Sequence, residues 1–177
     1  MQGTSIKRVF IIGQSHFYSF FKPAIYQGES FATPLGDVKV DNETCTVLAQ
    51  TGLFEFNSTA HANEHSIEVQ LPFLQAVMPA SPVIVPILLS KDIPNLNEIS
   101  EALKPYFNKR NLFVISTDLS HYPDYETAYM ADNKTIECIC QNSLEIFETY
   151  LGKSARQQTQ GISTLVCGEM AVKLCCI

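Results

Sequence analysis

The chain has 177 residues, 46% of them hydrophobic and 17% charged, which is enough to fill one domain core and too apolar for a disordered chain. Its 18 acidic and 12 basic residues leave a formal charge of −6, a sign that repels nucleic-acid phosphates and anionic membrane surfaces and excludes both as expected partners. No apolar run approaches the roughly 20 residues of a membrane-spanning helix, and six cysteines without a CxxC pair, behind a polar Met1-Gln-Gly-Thr-Ser start, read as the reduced thiols of a cytoplasmic protein.

The β-branched and aromatic run Arg8-Val-Phe-Ile-Ile-Gly13 predicts a strand buried on both faces. Asp41 is placed to cap a helix over about 42–51 that Gly52 ends. Ile67, Leu71, Leu74 and Met78 mark one stripe of a second helix, which Pro72 should kink or divide. Pro82 to Leu89 predicts another buried strand, with Pro86 marking a bulge or strand end within it. A helix capped by Asn95 or Asn97 then runs to about Phe107, a third strand covers Asn111 to Thr117, and a long helix over about 126–151 buries Ile136, Cys140, Phe147 and Leu151. Strands alternating with helices predict an α/β fold with a parallel or mixed sheet, and no repeat or linker divides it, so 1–177 reads as a single domain. The first core strand opens close to Met1 and the chain stops inside the apolar pattern Met170 to Ile177. The sequence therefore reads as cut at both ends.

In open α/β sheets ligands gather beyond the carboxyl ends of the strands. The first strand runs into Gly13-Gln-Ser-His16 and the third into Ser116-Thr-Asp118-Leu-Ser-His121, and each delivers an imidazole, a common metal ligand and an acid/base near neutral pH. Asp118 and His121, spaced i,i+3, suit metal ligation or an oriented acid/base; the plainer alternatives are an Asx turn and partly buried structural histidines. His61-Ala-Asn-Glu64-His65 matches H-x-x-E-H, in which two histidines one helical turn apart hold zinc and the glutamate activates water, with Glu137 as a distant third ligand. Its plainer reading is that Glu64-His65 opens a helix, with Glu64 drawn to the positive end. Cys167-Gly168 lies between the turn-like Gln160-Gly-Ile-Ser163 and a helical segment opening at Glu169. A thiol at a helix N-terminus can serve as ligand or nucleophile, the default being a buried structural cysteine. Cys138, Cys140, Cys175 and Cys176 read as structural. Gly152-Lys-Ser154 mimics the end of a phosphate-binding loop, but Phe147 stands where that loop needs glycine, so the motif fails.

Taken together, Val9 to His16, Glu64-His-Ser-Ile-Glu-Val-Gln-Leu-Pro-Phe73, Phe113 to His121 and Cys167-Gly168 resemble, in order and spacing, the Memo family (mediator of cell motility), whose prokaryotic members are called AmmeMemoRadiSam system protein B. The resemblance covers nearly the whole chain. It implies the fold of class III extradiol dioxygenases: a three-layer α/β/α sandwich with a mixed, largely parallel central sheet and nonhaem iron at the strand ends. It implies His16 and Cys167 as metal ligands, and Asp118, His121 and His65 as catalytic residues lining the cavity, with His121 in the acid/base position. The family's other ligand histidine lies in an Ala-Pro-His-Ala-Gly-Tyr segment expected before Met1, and the family's strands after the Cys167 helix are missing too. Iron(II) is the implied cofactor, with copper second, because imidazole and thiolate ligands with open positions suit such ions. The implied activity is iron-dependent redox chemistry on a small organic substrate, impaired by the truncation. A noncatalytic module binding a protein or phosphopeptide is the alternative, and a zinc peptidase the third reading. Missing strands leave sheet edges unpaired and predict self-association.

Overall fold

Val9, Phe10, Ile11 and Ile12 have no polar face, so the strand they form is stable only inside a sheet covered on both sides. The computed structural model, which describes residues 6–157 and 162–177 and only the backbone over 155–157, places it there. Strand β1 (Arg8–Gln14) lies between two parallel neighbours, β6 (Val83–Leu89) and β7 (Asn111–Ile115). Gln14 stands opposite Leu89 and Ile12 opposite Ile115. On the far side of β6, β4 (Val38–Val40) runs parallel along its start, and β2 (Ala24–Ile25) runs antiparallel along its end. Strand β3 (Ser30–Phe31) adds antiparallel to β4, and β5 (Glu55–Phe56) parallel to β2. The result is one mixed, mostly parallel sheet with the main order β3-β4-β6-β1-β7.

Pro86 neither ends nor bulges β6, contrary to the sequence expectation. It pairs with Ile11 in an unbroken register. On the other side of β6, β4 reaches Val83 and Ile84 while β2 takes Ile87 and Leu88. Pro86 falls in the gap between these two partners, where a missing N–H costs no ladder bond.

The helices form largely where the sequence places them. Helix α1 (Asn42–Gln50) is capped by Asp41, whose carboxylate accepts the Thr44 N–H at 3.0 Å and lies 2.8 Å from Arg8 Nε. Burial pushes the Asp41 carboxyl up, and the Thr44 hydrogen bonds and the Arg8 charge more than offset it, leaving it below the usual range. Pro72 starts a helix instead of kinking one. A 3-10 turn over Glu68–Gln70 leads into α3 (Leu71–Val77) with Pro72 in its first turn, where the absent N–H has no partner to lose. Ile67, Leu71 and Leu74 are buried as their spacing predicts. A short α2 (Ser58–Ala62) precedes this segment, and α4 (Leu96–Leu103) follows β6.

The single long helix expected over 126–151 is two: α5 (Tyr125–Cys140) and α6 (Leu144–Gln157), joined where Asn142 takes the left-handed conformation at φ +48°. The turn resets the helical phase. Phe147 is fully buried, but Thr135 and Cys138 face inward in place of the exposed Ile136 and Cys140. Helix α7 (Glu169–Cys175) closes the described chain. The main core unites both faces of the sheet's centre with Cys45, Leu48, Ile67, Leu71, Ile99, Leu103, Ala171 and Leu174. A smaller cluster of Cys138, Phe147, Val166 and Val172 holds the α5–α6 hairpin against α7. Among the described residues no helix is long and apolar enough to cross a membrane. Residues Met1–Ser5 and the turn expected at Gln160-Gly161 lie outside the described residues.

Candidate metal centre

Strands β1 and β7 are parallel neighbours, so their carboxyl ends open at one edge of the sheet. The ladder runs on past both, with the Ser15 N–H donating to Leu89 O and the Ser116 N–H to Ile12 O, each at 2.8 Å. His16 leaves the end of β1, and Asp118 and His121 leave the end of β7. The segment 64–70 lies across both strand ends: Ser66 Oγ donates to Gln14 O at 3.0 Å, and Gln70 Nε2 donates to Ser116 Oγ at 3.1 Å. The approach is close, since a Cβ on Gly13 would stand 2.5 Å from Ser66 Oγ.

Two groups of donor atoms, each with all members within 4.8 Å of one another, result: His16, Glu64 and His65 in one, and Asp118, His121 and Cys167 in the other. Among the described residues, no such trio contains both His16 and Cys167. In the first group, the His16 side chain is 33% exposed and that of His65 58%, with their rings stacked at 5.4 Å and 16°. Glu64 beneath them is 1% exposed. Its Oε2 accepts the His16 N–H at 2.7 Å. Its Oε1 accepts the N–H groups of His65 and Ser66, both at 3.0 Å, and lies 2.9 Å from His16 Nδ1. Burial pushes the Glu64 carboxyl up, and the bonds from His16 and Ser66 more than offset it, leaving the group below its ordinary value.

In the second group, Cys167 sits one residue before the Gly168 that precedes α7. Its Sγ accepts the Asp118 N–H at 3.1 Å, and its own N–H donates to Asp118 O at 3.2 Å. The Gly168 N–H donates to Thr117 Oγ1 at 2.9 Å, and a Cβ on Gly168 would meet Ser116 O at 2.8 Å. The start of α7 is thereby pressed onto the end of β7. His121 is held through its backbone, which donates to Thr164 O at 3.0 Å and accepts from the Ser163 N–H at 3.2 Å. Its Nε2 stands 3.6 Å from Asp118 Oδ2. The adjacent Tyr122 has φ +69°, a conformation that costs a non-glycine residue about 1 kcal/mol and that the backbone bonds of His121 help to hold.

The H-x-x-E-H geometry of a zinc peptidase is absent. Helix α2 ends at Ala62, so His61 and His65 do not share a helical turn. His61 is buried beside Tyr26 and Phe31, with its Nε2 3.1 Å from Ala24 O. Burial pushes its ring down to about 4, against smaller upward effects of the Ala24 bond and the Glu64 charge. Glu137 pairs with Lys134 on α5, and Gly152 lies within α6. All six cysteines are free; burial, with a contribution from Asp41, pushes the Cys45 thiol up to about 12. Glu64 itself does not open a helix. It is a buried acceptor whose partner His16 is 48 residues away, a distance at which local spacing carries no signal.

A cavity of about 320 Å³ opens beside His16, lined by Gln14, Ser15, Phe17, Tyr18, Ser90 and Lys91 among others, a size that admits a small organic molecule.

The sequence profile of a family described as Memo-like protein matches residues 1–176. A MEMO1 family protein of Methanopyrus kandleri is 39% identical over 151 residues, which cover 80% of this chain and 53% of that protein. MEMO1 family proteins of Thermotoga neapolitana and Saccharolobus solfataricus are 37% and 34% identical, covering 82% of this chain in each case and 53% and 54% of their own lengths. The chain spans about half the length of the curated relatives it matches.

Proposed function

The chain belongs to the Memo family, and from that premise we propose that it holds a transition-metal ion at the ends of β1 and β7, with His16 and Cys167 as protein ligands and His65, Asp118 and His121 around it. The support for this reading is the gathering of imidazole, thiol and carboxylate donors in two anchored groups on neighbouring strand ends. In donor chemistry the set suits such an ion, and a shared ion would have to draw His16 and Cys167 together from separate groups. The Glu64 contact occupies His16 Nδ1 and leaves Nε2 for coordination, and the donors are of the mixed nitrogen and sulfur kind that iron(II) or copper accepts.

Iron(II) is the proposed cofactor; when bound, it would supply a redox-active Lewis-acid centre at which dioxygen, as the oxidant, could oxidise a small organic substrate. The chain's own residues would do the rest. His121 Nε2, beside Asp118 Oδ2, is placed to take or return a substrate proton, and the Asp118 N–H on Cys167 Sγ fixes the position of the sulfur. The overall arrangement implied is the three-layer sandwich of class III extradiol dioxygenases.

Metal analysis of anaerobically purified protein tests the reading. We expect close to one iron per chain in the wild type, and loss of most of it in both His16→Ala and Cys167→Ala. A folded wild type without iron, copper or zinc would sink the proposal and favour a noncatalytic binding role for the same cleft.

A further inference from the structure

We propose that Glu64 is the positioning residue of this centre: its carboxylate fixes the His16 ring as the Nδ1–H tautomer and leaves Nε2 open to the ion. The inference rests on His16 being a ligand, as proposed above, and it is carried by the hydrogen-bond count at one buried carboxylate. Oε1 already accepts two backbone N–H groups, from His65 and Ser66. An oxygen so engaged is an acceptor, so its third neighbour, His16 Nδ1 at 2.9 Å, must be the donor. In the neutral ring, the proton on Nδ1 leaves a lone pair on Nε2, which is what a metal requires of an imidazole.

The grip is double. Oε2 takes the backbone N–H of His16 at 2.7 Å while Oε1 takes its ring, so one carboxylate holds main chain and side chain of the same residue. At 1% exposure, no bulk water competes for those bonds. Glu64 is held in turn by its own loop, which Ser66 ties to Gln14 O and which Gly13 allows to lie directly on β1. These engagements also separate Glu64 from the ligands. Oε1 is filled by His16, His65 and Ser66, so its proximity to the two histidines reflects support. His65 lies 3.7 Å from Oε1 through Nδ1, beyond hydrogen-bond distance, and its ring is oriented by stacking on His16.

The test is Glu64→Gln, which keeps the shape of the side chain. Whichever way the amide sits, one of the two His16 contacts then faces a donor instead of an acceptor. Imidazole nitrogens of the metal-free protein are read by long-range proton–nitrogen NMR correlation, and iron(II) affinity by anaerobic competition with a chelator. We expect Nδ1–H for His16 in the wild type, iron(II) affinity lower by about 10- to 100-fold in Glu64→Gln, and loss of the single tautomer in Glu64→Ala, which leaves Nδ1 without its acceptor. Leu48→Ala lowers stability from the buried face of α1, away from this loop; it should keep the wild-type tautomer and affinity. Equal weakening in Glu64→Gln and Leu48→Ala, or wild-type affinity in Glu64→Gln, overturns the proposal. So does an Nε2–H tautomer in the wild type, a result that needs no variant to fold. If the wild type binds no iron(II), the metal reading fails while the tautomer measurement still decides what Glu64 does to the ring.

Discussion

His61 and His65 are four residues apart, and burial gives them different chemistry. His61, 6% exposed, is pushed down to about 4 from an ordinary 6.5. Between those values the unfolded chain binds a proton that the folded chain refuses. Stability is therefore full above about pH 6.5 and falls as the pH drops toward 4, by roughly 3 kcal/mol from this residue. Denaturant unfolding from neutral pH to pH 4 should show that slope in the wild type and a flatter profile in His61→Gln; parallel profiles would refute the assignment. Asp41 and Glu64 act lower on the scale. Both carboxyls are held below their ordinary values, so their contributions are lost only as the pH falls below those values. In the sequence, His16, Asp118 and His121 are legible as strand-end residues because each lies in the short polar segment that follows an apolar run, and the structure places them beyond the ends of β1 and β7. Glu64 is not, because its partner is set by how the 64–70 segment crosses β1, and only the folded chain brings the two together.

Two glycines do for the elements what Glu64 does for His16. Gly13 admits the Ser66 loop onto β1, and Gly168 admits the start of α7 onto the end of β7. Gly13→Ala meets the Ser66 hydroxyl, a side chain that must turn away and give up its bond to Gln14 O, and should cost about 1–3 kcal/mol. Gly168→Ala meets the Ser116 carbonyl as well as Thr117, where the backbone itself must move, and should cost more and displace Cys167. Urea unfolding of the two variants checks the order; a Gly13→Ala protein that is the less stable of the pair would contradict it. The same scale explains where expectation and structure part. Pro86 reads as a bulge or strand end because a lone sequence does not show that β2 and β4 share one side of β6 and leave a gap at that position. The stripe assigned to one helix over 126–151 fails at Asn142, whose left-handed turn starts a second helix with a new phase. Burial at Phe147 survives that change, since it depends only on the periodicity within α6.

At the level of the whole molecule, the α/β class and the burial of the central strands followed from apolar runs too continuous for a half-solvated sheet. The order of those strands did not, because pairing across long connections leaves no local trace. The order has a consequence for association. Among the described residues β7 pairs only with β1, and its Leu112 is 37% exposed, so one side of this strand offers free backbone groups to another chain. We expect sedimentation to show concentration-dependent self-association, weakened by Leu112→Lys; a monomer at every concentration would count against it. The opposite side of the sheet is different in kind, since short β4 and β2 divide β6 between them.

The bond from the His16 N–H to Glu64 Oε2 also bears on hydrogen exchange. His16 belongs to no strand, yet its amide is sealed like one, immediately beyond a Ser15 amide held by Leu89 O. Its deuterium uptake should therefore follow the slow openings of the sheet core and not the fast fluctuations of a loop. The rigidity of β1 thus extends two residues past its end, and the last step is taken by a side-chain carboxylate in the place of a neighbouring strand.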